Sequence, residues 1–285
     1  MPQTIKQIKS RITSIKNTKK LTNAMELISK TKYQLSFKKL PYSREYLLNI
    51  ENFLSRLFEE LNLQKFIKDF DSEKIILIVF SSDNGFCSKY NTEILKNIKD
   101  FIKDKKTENI DLYLIGKKLQ NSLFNVGLSC KKLYIGYLGK FSKDIISDLV
   151  NNIKNYSKKN IYIVYTKFYS SVKQETTVEN LFSSFLKKIE QKNISDESEY
   201  IKELKIDNCF FDKIVNLFLF AKLQNVFLES LVSEHTNRML SMRTANDNAK
   251  HILEKLVLSL NKMRQALITG ELIEIISSSD AVKNS

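Results

Sequence analysis

The sequence predicts an α/β fold plus a long antiparallel coiled coil: N- and C-terminal helices that form a left-handed two-helix shaft, with a small, mostly parallel sheet domain inserted between them. Three observations predict it. Both prolines of the 285-residue chain lie within its first 41 residues, so everything beyond is free of the residue that most reliably breaks a helix. From residue 208 onward the text keeps a 7-residue apolar repeat, the mark of a coiled-coil seam. Between the two ends, short apolar runs alternate with amphipathic stretches, as strands do with covering helices.

The first element is a helix over about 3–60. Ile5, Ile8, Ile12 and Ile15 keep a 3-4-3 spacing, which places them on one side of a helix. The stripe continues through Leu21, Ala24, Met25 and Ile28 and, after Pro41, through Leu47, Ile50, Leu54 and Leu57. Pro41 is the candidate kink, because it removes one backbone hydrogen bond and crowds the preceding turn. Together with its flanks this gives a division into a helix at 1–60, an α/β domain at 74–206 and a helix at 208–285 that pairs with the first.

The α/β domain opens on the apolar run Lys74-IILIVF-Ser81, closed by the turn-forming Ser82-Asp83-Asn84-Gly85 and followed by a helical stretch, Asn91–Lys103. Two further strand-helix units follow: 111–116 with 117–126, and 132–139 with 141–156. A fourth strand spans 160–169, rich in β-branched and aromatic residues. The Lys, Glu and Ser-rich text from 170 to about 205 is expected to hold an edge strand or two. In the last helix the heptad runs Ile214, Ala221, Leu228, His235, Met242, Ala249, Leu256, Met263, Gly270 at one position. At the other it runs Leu217, Gln224, Leu231, Arg238, Ala245, Ile252, Ser259, Ala266, Ile273. A strict 7-residue repeat imposes a left-handed supercoil. A helix of some 60 residues extends roughly 90 Å, so such a rod is expected to be enclosed by other chains.

Charge and composition narrow the function. The formal net charge is +14, and residues 1–40 hold ten Lys and Arg against the single acid Glu26. A segment of this kind suits an acidic partner: a protein collar, nucleic acid or an anionic membrane surface. A coiled-coil nucleic-acid binder is therefore a rival reading, which predicts steep salt dependence. A nucleotide-binding enzyme is disfavoured. Neither G-x-G-x-x-G nor G-x-x-x-x-G-K-[ST] occurs, so no glycine-rich loop of backbone donors cradles phosphate. Cys87, Cys130 and Cys209 are widely spaced and only His235 and His251 are available, so the thiols are expected to be reduced and no metal or cofactor is expected. No stretch is expected to approach the ~18–20 apolar residues of a membrane span, the longest candidate being the short run around Ile75–Phe80, and the N-terminus lacks a secretory signal pattern. A soluble or peripheral protein is expected.

Three motifs carry a resemblance. Ile5-KQIKSRITSIKNTKKLTNAMELISKTK-Tyr33, Ser81-SDNGFCSKY-Asn91 and Leu240-SMRTANDNAK-His251 with Lys262-MRQALITGELIEII-Ser277 are similar, in order and spacing, to the signatures of ATP synthase gamma subunits. The resemblance implies a non-catalytic subunit of a proton-translocating enzyme, peripheral on the cytoplasmic side of a bacterial inner membrane. Its terminal helices would form a shaft within a ring of three alpha/beta pairs, and its α/β lobe would sit with the epsilon subunit on the membrane c ring. Carried over residue by residue, the contacts with the beta subunit fall on Arg264, Gln265, Thr269 and Glu271, and on Met25. This sequence departs from the family text at Gly270, usually Gln, at Asn23, often Lys, and at Asn84, Ser88 and Lys89 in the loop after the first strand. The cysteine pair used for redox control in chloroplast gamma subunits is missing from this text.

Overall fold

The computed structural model describes residues 4–61, 75–105, 109–136, 143–153, 160–182 and 208–283. In chain order they form α1 (Ile5–Leu61), β1 (Ile75–Phe80), α2 (Tyr90–Lys105), β2 (Ile110–Ile115), α3 (Gln120–Phe124), β3 (Cys130–Tyr134), α4 (Lys143–Ile153), β4 (Ile161–Phe168), β5 (Gln174–Asn180) and α5 (Asn208–Lys283). Two compact units result: Met1–Ile28 with Met239–Ser285, and Ser29–Arg238.

The larger unit is built on a five-stranded sheet of order β3-β2-β1-β4-β5. The β1–β2, β1–β4 and β2–β3 pairs are parallel, and β5 is an antiparallel edge strand on β4. Strand β1 is buried at all six positions because helices cover both faces, which is why its text is apolar without alternation. Ile76, Ile78 and Phe80 face a core shared with Leu47, Ile50, Leu54 and Leu57 of α1, with α4, and with Ile214–Leu231 of α5. Leu77 and Val79 face Tyr90, Ile94 and Ile98 of α2 and Leu119 and Leu123 around α3. The period of two along the strand thus feeds two separate cores.

Two elements differ from expectation. Strand β3 starts two residues earlier than the 132–139 run and stops at Tyr134. Gly136 then turns at φ +82° and donates its N–H to Asp83 Oδ2 at 2.9 Å. Ile135 therefore lies past the strand and is exposed, and residues 137–139 of the expected run lie outside the described residues. The helix expected over 117–126 is a single short one, Gln120–Phe124, ended by a turn into Gly127 at φ +88°. Of the 170–205 text, β5 provides the expected edge strand, and residues 183–207 lie outside the described residues.

Helix α1 begins with a reciprocal cap, Thr4 N–H donating to Gln7 Oε1 at 2.9 Å and Gln7 N–H to Thr4 Oγ1 at 3.4 Å, the Thr-x-x-Gln form of the capping box. It continues through Pro41 without ending. In the smaller unit α1 and α5 pair. Ile8 and Ile12 are buried and Ile5 and Ile15 half-buried, as the 3-4-3 stripe predicts. The next inward residues are Lys19, Thr22, Met25 and Glu26, whereas Leu21 and Ile28 are 63% and 56% exposed. The apolar stripe restarts at Leu21 one residue out of phase with the inward row, so it turns outward.

The seam of α5 is corrected in the same way. Met242, Ala249, Leu256 and Met263 face inward, but the second seam position is Asn246, Leu253 and Leu260, one residue beyond the predicted Ala245, Ile252 and Ser259; Ile252 and Ser259 are exposed. A heptad fixes alternating steps of three and four but not which comes first, and both Ile252 and Leu253 are apolar. Asn246 Nδ2 meets Asn23 Oδ1 at 3.4 Å across the pair. Contrary to the expectation that no stretch approaches a membrane span, one part of α5 is apolar and long enough to cross a membrane, because its scattered polar residues leave the average hydropathy high; 78% of that window is buried inside the fold.

Gly116 closes β2 at φ +92°, and a Cβ there would stand 2.5 Å from Ser81 O. Gly116→Ala should therefore cost about 2 kcal/mol or more in stability, from a left-handed backbone combined with a collision against a fixed carbonyl. Urea unfolding of the full chain measures it; a loss within experimental error would mean the β1–β2 junction is softer than its geometry.

Candidate functional site

Strand β1 is the point where the chain's order reverses: β2 and β3 lie on one side of it, β4 and β5 on the other. In open α/β sheets the crevice beyond the carboxyl ends of the strands at such a switch point is where ligands bind. Here the chain fills it with its own side chains. Arg238 of α5 donates from Nη2 to Asn84 O at 3.0 Å and from Nε to Gly85 O at 3.1 Å, on the loop that leaves β1. Its guanidinium also pairs with Glu234, one turn back, and approaches His235 Nδ1 at 3.3 Å. At the end of β4, Ser233 Oγ donates to Thr166 O at 3.2 Å, and Glu229 Oε2 accepts from Phe168 N–H at 2.7 Å.

The Ser81–Asn91 motif is thereby a structural joint. Asp83 Oδ1 accepts from Lys117 N–H at 3.2 Å and Oδ2 from Gly136 N–H, so one carboxylate binds the loops after β2 and β3 to the loop after β1. Asn91 Nδ2 donates to Ser82 Oγ at 2.7 Å, and Ser81 Oγ donates to Gly116 O at 2.9 Å. Asn84 contributes only its carbonyl to Arg238, which explains why its side chain is free to differ from the family text. Ser88, another of the positions that depart from the family text, takes φ +51°, and Phe86 takes φ +62°. Cys87 and Cys130 are free thiols, and burial pushes both up from the usual thiol range; the Cys209 side chain lies outside the described residues.

The predicted contact residues lie elsewhere. Arg264, Gln265, Thr269 and Glu271 are all exposed on α5. Residues 264 and 271 are one heptad apart, and 265 and 269 one turn apart, so the four share one broad side of the helix. Thr269 Oγ1 donates back to Gln265 O at 2.9 Å. Around them Leu267, Ile268, Leu272, Ile273, Ile275 and Ile276 are exposed as well, each at 47% or more. Met25 stands apart from these four: it is half-buried in the inward row of α1. A built Cβ at Gly270 meets nothing within 4 Å, so the space for a side chain is open there. Among the described residues no group of His, Cys, Asp and Glu is placed to hold a metal ion.

Sequence reading missed Glu229, Glu234 and Arg44. Their signal was present: two carboxylates five residues apart within an apolar stretch of α5, where a solvated face would be unexpected.

A switch point filled by the chain's own side chains, a pair of long helices and an exposed polar-apolar helix end define an α/β protein with paired long helices whose outward chemistry lies on a helix and not on the sheet. The chain belongs to the ATP synthase gamma-chain family. The family model described as ATP synthase matches residues 4–282. The "ATP synthase gamma chain" of Rickettsia typhi is 33% identical, over 98% of this chain and 99% of the relative. That of Dictyoglomus turgidum is 28% identical, over 98% of each. The fold is shared with a chain in the Euglena gracilis mitochondrial ATP synthase OSCP/F1/c-ring structure, at TM-score 0.70 and 16% identity over 98% of this chain and 94% of that one. It is shared also with a chain of the Tetrahymena thermophila central stalk and c ring, at TM-score 0.58 and 15% identity over 79% and 99%.

Glu234 is 1% exposed. Burial, opposed by Arg238 and reinforced by Asp83, raises its carboxyl from the ordinary 4.5 to about 7. A carboxyl whose folded value is raised favours the fold while protonated, and that contribution is lost as pH rises through the folded value. Stability from this group should therefore fall between pH 4.5 and about 7. Glu234→Gln should flatten that part of the melting temperature against pH curve. An unchanged slope would place the titration on another group.

Proposed function

We propose that this chain is the central-stalk rotor subunit of a proton-translocating ATP synthase, coupling rotation of a membrane c ring to conformational change at three catalytic alpha/beta pairs. It would not itself be catalytic. Its partners would be the alpha and beta subunits around the paired ends of α1 and α5, and the epsilon subunit and c ring at the α/β lobe. It would be peripheral on the cytoplasmic side of a bacterial inner membrane. The expected division into 1–60, 74–206 and 208–285 would then separate shaft helices from mount.

The observation that carries this reading is the exposed end of α5. A stretch with six large aliphatic side chains uncovered is unusual for a surface meant to face water, and fits a shaft turning inside a collar. Arg264 offers a planar fork of donors to a collar carboxylate, and Gln265 both donates and accepts. Thr269 and Glu271 extend the same side, and Met25 supplies a soft apolar contact on α1. Because the four residues occupy one side only, each of three otherwise identical catalytic sites meets a different surface at any moment. Differential contact of this kind is what lets one rotor bias three sites toward different nucleotide affinities. The basic segment of α1 suits an acidic collar, and nothing in the fold favours the nucleic-acid reading over it.

Co-expression with the alpha and beta subunits of the same organism tests this. One copy of the chain should elute with three alpha/beta pairs, and multi-site Mg-ATP hydrolysis should depend on it. Arg264→Ala with Gln265→Ala should lower that turnover on the order of tenfold, the loss of one charge-assisted bond. Exclusion from the complex, with turnover unchanged, would sink the rotor reading; salt-dependent nucleic-acid binding would then be measured on the purified chain.

A further inference from the structure

Within the larger unit, Arg44 of α1 and Glu229 of α5 meet where β4 ends. Arg44 Nε donates to Glu229 Oε1 at 2.7 Å and Nη2 to Glu229 Oε2 at 2.9 Å. Phe168, the last residue of β4, uses both its backbone groups on the same pair: its N–H donates to Glu229 Oε2 at 2.7 Å, and its carbonyl accepts from Arg44 Nη2. One carboxylate and one guanidinium thus join three elements that are far apart in sequence. The Glu229 side chain is 2% exposed and that of Arg44 44%.

The surrounding contact is apolar and small: Leu40, Phe168, Leu228 and Val232, with Tyr33 at the margin. Apolar contacts between long helices are tolerant of sliding, because a shift by one heptad, roughly 10 Å at the standard rise, presents similar residues again. An ion pair is not tolerant. The other arginines of α1 are Arg11 and Arg56, and neither stands a whole number of heptads from Arg44. A buried ion pair is weak support for stability, since desolvation offsets much of the attraction, and its best-attested use is to fix registry. The bidentate fork adds an orientation that a point charge lacks.

We infer that Arg44 and Glu229 are positioning residues of the rotor, keying α1 and α5 to the end of β4 in a single register so that turning force on the sheet lobe reaches both helices without elastic give. This rests on the rotor reading above. Both residues belong to the larger unit and neither is among the proposed collar residues Arg264–Glu271 of the smaller one, so their effect would come through stiffness.

The test is the assembled ATP synthase with a bead on the α/β lobe and the catalytic ring fixed, arrested by a slowly hydrolysed nucleotide. The variance of the bead's angle reports torsional stiffness. Arg44→Met with Glu229→Gln removes the pair while leaving an amide to accept from Phe168 N–H and donate to its carbonyl. The double variant should assemble, melt within a few degrees of wild type and hydrolyse ATP at a similar rate, while the angular variance rises at least about twofold. Arg44→Lys keeps the charge and loses the fork, and should give a smaller rise. An unchanged variance in the double variant overturns the inference. If that variant does not assemble, Arg44→Lys decides by the same criterion. A wild-type chain that assembles but does not rotate overturns the rotor reading and the torsional role with it.

Discussion

Two carboxylates on α5, Glu229 and Glu234, are held in the interior of the larger unit by one arginine each, and the placement of the lobe's loops depends on them. A lone buried carboxylate would cost several kcal/mol. Each is accepted because its arginine also serves the backbone: Arg44 at Phe168, Arg238 at Asn84 and Gly85. The charges therefore convert a helix that merely covers a sheet into one bonded to the ends of β1 and β4. From Gly85 the restraint passes through Asp83 to the loops after β2 and β3, so four of the five strands are referenced to a single helix.

The same bonds account for what the sheet does not offer. A switch point at β1 and β4 is the ordinary place for a nucleotide or cofactor, yet here Arg238, Glu234 and Ser233 occupy it. The glycine-poor turn Ser82–Gly85 gives the carbonyls of Asn84 and Gly85 to Arg238, a polarity that suits a cation such as a guanidinium and is wrong for phosphate. The exposed polar side chains named from the motifs, Arg264, Gln265, Thr269 and Glu271, stand instead among exposed aliphatic side chains in the C-terminal part of α5.

Much of the fold was legible because local pattern and global packing agree. The six apolar residues of β1, the stripe Leu47, Ile50, Leu54 and Leu57, and the first heptad position through Met263 all occupy the faces their periods assign. Where text and structure part, the pattern was ambiguous by one residue. Ile252 and Leu253 both suit a seam, and the partner helix selects Leu253. Leu21 and Ile28 read as a continuing stripe, but Thr22 sits inward instead, because the inward row keeps the phase set by Ile8 and Ile12 while the apolar text shifts by one residue. Tyr134 is followed by further strand-like residues, and β3 stops there because Gly136 bonds Asp83, more than fifty residues earlier. The contact residues were named from motif resemblance, and local physics adds only that they share an exposed side of α5.

By itself the sequence determined the order of helices and strands, the mostly parallel sheet and the family, because each follows from periodicity or from contiguous motifs. Tertiary structure alone decided the seam's second position, the plugging of the switch point and the pairing of Arg44 with Glu229. The physical reason is the same in all three. A charge or a seam residue is placed by the partner that satisfies it, and that partner lies 185 residues away for Arg44, well beyond any pattern that neighbouring residues can carry.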